Sequence, residues 1–159
     1  MKEIVIFGTA EIAELAKFYF EEEGKAKIAA FTVDDEYVSK DIFLKSPVIP
    51  FSELKDEFPP SEFQVHVALS YTRLNQLREE KFNQVRKIGY KLCSFISDRS
   101  VVSKNAKIGQ NCLILENQTI QPRVIIGNNV MMWSGNHIGH GSVIRDHNYF
   151  ASHIVLSGN

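Results

Sequence analysis

Residues 126–144 read IGNNVMMWSGNHIGHGSVI and carry an apolar side chain at every sixth position. The same spacing extends outward in both directions, and all 11 positions, which we call anchors, are apolar: Ile96, Val102, Ile108, Ile114, Ile120, Ile126, Met132, Ile138, Ile144, Phe150 and Leu156. In a chain that is 44% hydrophobic, such a run arises by chance on the order of once in ten thousand segments. A six-residue repeat therefore governs this half of the chain.

The residues around the anchors predict the shape of the repeat. Small or aliphatic residues often stand two places before an anchor, and glycine directly follows three anchors. Three places after an anchor stand residue types that tolerate a left-handed backbone: Asn105, Asn111, Asn117, Asn129, Gly135, Gly141 and Asn159. We therefore expect short strands joined by tight corners, with 18 residues in each triangular coil of a solenoid.

The first half instead alternates short apolar runs with amphipathic segments, which is typical of an α/β sheet. Lys2–Phe7 and Ala26–Val33 are predicted strands, separated by a helix that ends near Gly24. Pro47 and Pro50 are expected to lie in a loop, and Ser52 is expected to cap a short helix that ends at Glu57. Residues 63–69 and 90–95 are expected to be strands. The helix between these two strands should have five residues on its inner face: Leu74, Leu77, Phe82, Val85 and Ile88. Residues 1–95 are thus expected to form a small parallel-sheet domain.

Composition narrows the classes of partner. A formal net charge of -1 over 159 residues gives no basic excess for nucleic acid or anionic membranes. The N-terminal apolar run is too short for a membrane span or signal peptide, and Cys93 and Cys112 form no CxxC pair, so we expect a cytoplasmic protein.

Leu156 is still a regular anchor with no capping helix after it, so we expect the solenoid to be incomplete at its C-terminus.

Three stretches, KEIVIFG at 2–8, VDD at 33–35 and WSGNHIGHGSVIRDH at 133–147, resemble the hexapeptide-repeat sugar acyltransferases. That family includes sialic acid O-acetyltransferases and nucleotide-linked amino-sugar N-acetyltransferases. The resemblance implies a Rossmann-like domain at 1–95 that binds a nucleotide-linked sugar. It also implies a left-handed parallel β-helix at 96–159 that forms a homotrimer and holds acetyl-CoA between neighbouring subunits.

The resemblance assigns roles to individual residues. His140 falls on the family's catalytic histidine, whose neutral imidazole takes a proton from the acceptor amine or hydroxyl. Gly8, Thr9 and Ala10, at the first strand's turn before a helix, are expected to bind the nucleotide sugar through a phosphate. Asp34 and Asp35, after the second strand, are expected to bind its uracil or ribose groups; the alternative is that they only end the strand. Asn136 and His137 are candidates for the acceptor site or, alternatively, for packing at an interface. Tyr149 and Gly158 are expected to contact acetyl-CoA, and no metal is expected.

Several histidines have simpler explanations. His147 and His153 stand three places after an anchor, where histidine can serve corner geometry alone. His66 is interpreted as a sheet residue with a satisfied hydrogen bond. The residue that orients His140 is open: Asp146, in a nearby corner, is one candidate, and a residue of an adjacent subunit is another.

Outward-facing apolar residues predict an interface between subunits. Leu113, Met131 and Tyr149 stack on one face, Ile125 and Val143 stack on another, and Trp133 lies at a corner beside them. Two other functions remain open. One is a γ-type carbonic anhydrase with zinc held by histidines, whose spacing fits poorly here. The other is a non-catalytic trimeric module for sugar binding or assembly.

Overall fold

The computed structural model describes residues 2–158, which fall into two compact units with their boundary between Cys93 and Ser94. The first unit is a five-stranded sheet with strand order β3-β4-β2-β1-β5. Its strands are β1 (Lys2–Phe7), β2 (Ala26–Val33), β3 (Ile42–Phe43), β4 (Ser46–Pro50) and β5 (Gln64–Val67). All neighbouring strands are parallel except β3 and β4. Its helices are α1 (Glu11–Glu22), α2 (Leu54–Glu57) and α3 (Gln76–Lys87), and Asp35–Tyr37 form a 3-10 turn.

Helical spacing explains how the two long helices bury one side. In α1 the buried residues Ala13, Ala16 and Phe20 recur every three or four positions. In α3, Phe82 and Val85 join a core with Val5, Phe7 and other sheet residues. The predictions for β1, β2 and α1 are confirmed by these bounds.

Two predictions around β4 were wrong. Pro47 and Pro50 lie in a strand and not in a loop. Proline is tolerated there because pairing with β2 begins only at Val48, and Pro50 is the last residue of the strand. Ser52 does not cap α2, which begins at Leu54 without a side-chain cap; the Ser52 N–H instead donates to Asp35 Oδ1 at 3.1 Å.

Two predictions near α3 were also wrong. Leu74 is 89% exposed, because residues 73–75 all adopt left-handed backbone conformations and the helix begins only at Gln76. Residues 90–95 do not form one strand. Leu92 makes a single parallel bridge to Val65, and Phe95 pairs within the second unit.

The second unit is a parallel β-helix. Its 11 strands each contain two residues: β6 (Phe95–Ile96), β7 (Val101–Val102), β8 (Lys107–Ile108), β9 (Leu113–Ile114), β10 (Thr119–Ile120), β11 (Ile125–Ile126), β12 (Met131–Met132), β13 (His137–Ile138), β14 (Val143–Ile144), β15 (Tyr149–Phe150) and β16 (Val155–Leu156). They form three parallel sheets in the orders β16-β13-β10-β7, β14-β11-β8 and β15-β12-β9-β6. Each residue pairs with one 18 positions away, as Ile120 does with Ile138.

The predicted anchors are confirmed, because each is the second residue of its strand and points into the coil. Ile114, Ile120, Ile126, Met132, Ile138 and Ile144 are buried in one core with Cys112, Val124 and Val130. The anchors of the outer coils are partly buried and pack against the same core: Ile96, Val102, Ile108, Phe150 and Leu156.

The corners also follow the sequence pattern. Left-handed backbone conformations occur three places after eight anchors, at Asn111, Asn117, Arg123, Asn129, Gly135, Gly141, His147 and His153. Arg123 was not foreseen, because arginine is not a residue type that favours this conformation. Asn105 was expected in the column but does not have a positive φ. Asn159 lies outside the described residues.

One predicted outward face is not exposed. Leu113 and Met131 are buried within the single chain, so the expectation that a second subunit must cover them was wrong: other parts of the same chain cover them. Tyr149 is half-buried, and its hydroxyl accepts a hydrogen bond from Trp133 Nε1. Ile125 and Val143, on a different sheet, are exposed as predicted.

Candidate active site

A cleft of about 420 Å³ lies where β1 and β2 end in the first unit. The carboxyl ends of neighbouring parallel strands meet at one edge of a sheet, which is where open α/β sheets bind ligands. The lining residues come from these strand ends, the turn before α1, and α3: Phe7, Gly8, Thr9, Ala10, Val33, Asp34, Glu36, Tyr37, Leu69, Leu77 and Lys81. A volume of this size suits a small-molecule ligand.

Four of the five residues predicted to bind the nucleotide sugar line this cleft together. They are Gly8, Thr9, Ala10 and Asp34. Asp35 is not among the lining residues, because its carboxylate turns to Ser52. Hydrogen bonds from the Ser52 side chain and backbone hold the pKa of Asp35 below its ordinary value.

Lys81 is the residue of this cleft that sequence reasoning missed. Its Nζ lies 2.6 Å from Asp34 Oδ1 and donates a second hydrogen bond, of 3.1 Å, to Gln84 Oε1. Only 11% of the Lys81 side chain is exposed, against 23% for Asp34. Because 47 positions separate the two charges in sequence, no local pattern links them.

Three further titratable groups of this unit, His66, Tyr90 and Cys93, are buried or half-buried and make hydrogen bonds within the fold. His66 Nδ1 lies 2.9 Å from the Cys93 carbonyl oxygen, and burial lowers the pKa of His66 to about 4. Burial also raises the pKa of the Cys93 thiol and of the Tyr90 hydroxyl to about 12. The Tyr90 hydroxyl donates to the carbonyl oxygens of Leu54 and Phe58. The interpretation of His66 as a satisfied sheet residue is therefore confirmed.

His140 lies on the second unit, at the corner that follows β13. Its side chain is exposed, and its backbone N–H donates to Gln121 Oε1 at 2.9 Å. Gly158 stacks on it one coil later: a Cβ atom at Gly158 would lie 2.7 Å from His140 Nδ1. The imidazole thus lies against the next coil in a space that only glycine leaves open, with Nδ1 toward Gly158.

Asp146 and His147 lie at a different corner, the one after β14. Asp146 Oδ1 accepts a 2.8 Å hydrogen bond from the Asn128 backbone N–H, so the described chain does not bring Asp146 to His140. His147 Nδ1 lies 2.8 Å from Asn129 Nδ2, and Asn129 Oδ1 accepts from Asn111 Nδ2. His147 therefore completes a ladder of hydrogen bonds that runs through three coils.

The remaining predicted site residues are dispersed. Asn136 is 1% exposed and lies inside the coil, where its Nδ2 donates to the Trp133 carbonyl and its Oδ1 accepts from the Ile154 N–H. In the single chain, Asn136 is therefore too deeply buried to contact the acceptor sugar. His137, in β13, is half-buried between Thr119 and Val155 of the neighbouring strands.

No three His, Cys, Asp or Glu side chains within residues 2–158 are grouped so as to hold a metal ion. The helices of the same range include none with the length and apolar character needed to cross a membrane.

Comparison with known proteins identifies the fold. No protein-family model matches the sequence, and no curated protein does. Among solved structures, the acetyltransferase domain of PglB from Neisseria gonorrhoeae FA1090 matches with a TM-score of 0.83 at 19% identity, over 100% of this chain and 75% of that one. The same domain is also known in complex with acetyl coenzyme A.

Two further solved structures also match this fold. WeeI from Acinetobacter baumannii AYE has a TM-score of 0.74 at 19% identity, over 99% of this chain and 74% of that one. A histidine-to-asparagine mutant of perosamine N-acetyltransferase from Caulobacter crescentus, in complex with CoA and GDP-perosamine, has a TM-score of 0.62 at 18% identity, over 94% and 74%. The resemblance to hexapeptide-repeat sugar acetyltransferases is therefore confirmed as a likeness of fold.

Proposed function

We propose that this chain is a sugar acetyltransferase that uses acetyl-CoA and acts on an amine or hydroxyl of a nucleotide-linked sugar. The observation that carries the proposal is the match of the entire chain to an acetyltransferase domain that binds acetyl coenzyme A. It is supported by an exposed histidine at a β-helix corner and by a ligand-sized cleft in the first unit.

The two halves would divide the work. Residues 1–95 would form the Rossmann-like domain that binds the nucleotide sugar, through Gly8, Thr9, Ala10 and Asp34. Residues 96–159 would form a left-handed β-helix in a cytoplasmic homotrimer, with acetyl-CoA at Tyr149 and Gly158. His137 lies on the strand that leads to the His140 corner, which suits a contact with the acceptor.

In the proposed reaction His140 acts as a general base. As the acceptor nitrogen or oxygen attacks the acetyl carbonyl carbon, its proton passes to His140 Nε2, the ring nitrogen that faces away from Gly158. The new bond joins the acceptor to the acetyl group, the carbon–sulfur bond breaks, and the CoA thiolate takes up the proton. A neutral imidazole suits this role at cytoplasmic pH.

The substitution His140→Asn tests the proposal. Loss of the base should lower kcat by roughly a hundredfold or more, while acetyl-CoA and acceptor affinities stay close to wild type. In perosamine N-acetyltransferase, a histidine-to-asparagine mutant was solved with both CoA and GDP-perosamine, so such an exchange leaves ligand binding possible in that protein.

His153→Asn is the matched control, because His153 is exposed and its left-handed corner accepts asparagine. Turnover near the wild-type rate in the His140 variant would remove His140 from the mechanism. Wild-type protein that binds both ligands without acetyl transfer would instead favour the non-catalytic module.

A further inference from the structure

The charges of the cleft in the first unit say which part of a nucleotide it recognises. Among the described residues that line it, Asp34 and Glu36 are acidic and Lys81 alone is basic. Lys81 already pairs with Asp34 at 2.6 Å, so the lining of the cleft retains a net negative charge. This charge favours hydrogen-bond donors of a ligand over its phosphate groups. The donors that a nucleotide presents on its sugar are the ribose hydroxyls.

Asp34 is built to accept such donors. Its Oδ1 is taken by Lys81, while no hydrogen bond from residues 2–158 reaches Oδ2. Asp34 follows the last residue of β2, so its carboxylate stands at the sheet edge beside the turn that begins at Gly8. A carboxylate in this position of an α/β sheet can bond the ribose of a bound nucleotide.

Lys81 fixes the direction of that carboxylate. Its ammonium is held from three sides: by Asp34, by Gln84 Oε1 at 3.1 Å, and by the ring of Phe7, whose centroid lies 5.7 Å away. The Lys81 side chain is mostly buried, so the pair is shielded from solvent better than most surface ion pairs.

We propose that Lys81 is a positioning residue that holds Asp34 to accept a hydrogen bond from a ribose hydroxyl of the bound nucleotide. The inference rests on the proposed function and deepens it: the cleft selects ribonucleotides through the sugar. The diphosphate would lie outside the immediate reach of Asp34, toward the turn at Gly8 and the N-terminus of α1.

The test measures dissociation constants of the full chain for UDP and GDP and for their 2′-deoxy and 3′-deoxy counterparts. Removal of the contacted hydroxyl should weaken binding to wild type by about tenfold or more, because hydrogen bonds to charged groups are strong. In Lys81→Met the ribonucleotides should bind more weakly, and discrimination against the deoxy counterpart should fall to roughly twofold or less. Lys87→Met is the matched control, since Lys87 is exposed on the same helix outside the cleft, and it should behave as wild type.

Asp34→Asn keeps the side-chain shape and should lose the same discrimination, which secures the test if Lys81→Met does not fold. Undiminished discrimination in a folded Lys81→Met, or none in wild type, would overturn the inference. The proposed function fails separately. Wild-type protein that discriminates as expected but transfers no acetyl group would overturn the transferase activity alone, whereas acetyl transfer without nucleotide binding would overturn the inference alone.

Discussion

At the level of single residues, His66 couples stability to pH. The pKa of His66 is about 4 in the folded chain, against an ordinary value of 6.5, because burial disfavours the charged imidazolium. Between these pH values the unfolded chain binds a proton at His66 that the folded chain does not bind. His66 therefore does not lower the free energy of unfolding above about pH 6.5, and it lowers this free energy progressively as the pH falls toward 4. The shift corresponds to roughly 3 kcal/mol.

We therefore expect the free energy of unfolding from urea titrations to fall between pH 7 and pH 5, and His66→Gln to remove most of that slope. The variant should be less stable than wild type at pH 7, since the replacement disturbs a buried contact with Phe20. His153→Asn, at an exposed corner, is the control and should keep the wild-type slope. An unchanged slope in His66→Gln would mean that other groups carry the acid sensitivity.

His147 makes a second residue-level prediction. Its φ of 64° is left-handed, and its Nδ1 ends the ladder through Asn129 and Asn111. Asparagine tolerates this backbone and can continue the ladder, so His147→Asn should retain activity and melt within a few degrees of wild type. His147→Val should melt clearly lower, because a β-branched residue resists a left-handed conformation. Loss of turnover in His147→Asn at unchanged stability would transfer the catalytic role from His140 to His147.

At the level of elements, the β-helix was far easier to predict than the sheet. The anchors fix which side of every two-residue strand faces inward, and stacking at 18-residue intervals repeats the same contacts in each coil. The sheet has no such redundancy. The left-handed run at residues 73–75 exposes Leu74 although helical spacing had placed it on the inner face of α3. Pro47 and Pro50 lie in a strand because β4 pairs with β2 and β3, which the prolines themselves do not reveal.

The candidate site likewise contains residues that could be predicted from the sequence and residues that could not. Gly8 and Asp34 follow predicted strands, so their meeting at one sheet edge could be foreseen. Asp35 could not be separated from Asp34, because only the local turn sends its carboxylate to Ser52. Lys81 lies on a helix among other charged residues, and its role emerges only when α3 packs beside the end of β2.

Corner glycines give the element-level prediction. A Cβ atom on Gly127 would lie 2.2 Å from Asp146 Oδ1 and 2.7 Å from the Asp146 backbone nitrogen, one coil away. Because backbone cannot withdraw as a flexible side chain can, Gly127→Ala should cost roughly 1–3 kcal/mol in free energy of unfolding. Ser152→Ala, at an exposed corner, should change stability little. Equal melting temperatures of the two variants would show that the coils can separate locally without cost.

At the level of the whole molecule, the β-helix retains apolar surface that the chain itself does not cover. Ile125 and Val143 pair across β11 and β14 with 44% and 61% of their surfaces exposed, and Val101 and Val155 are exposed on a neighbouring sheet. Adjacent apolar side chains on an open sheet face are typical of an interface. We propose that they pack between subunits of a homotrimer.

The double substitution Ile125→Lys and Val143→Lys should therefore shift the protein from trimer to monomer in light scattering at micromolar concentration. Three copies of the pair would place like charges together at the interface, while each isolated chain would lose no core contact because both side chains point outward. Leu74→Lys is the matched control: Leu74 is more exposed than either residue but belongs to the first unit and to no strand of the β-helix, so the variant should leave the trimer intact. A wild-type monomer would refute the assembly, and a double variant that remains trimeric would place the interface on another face.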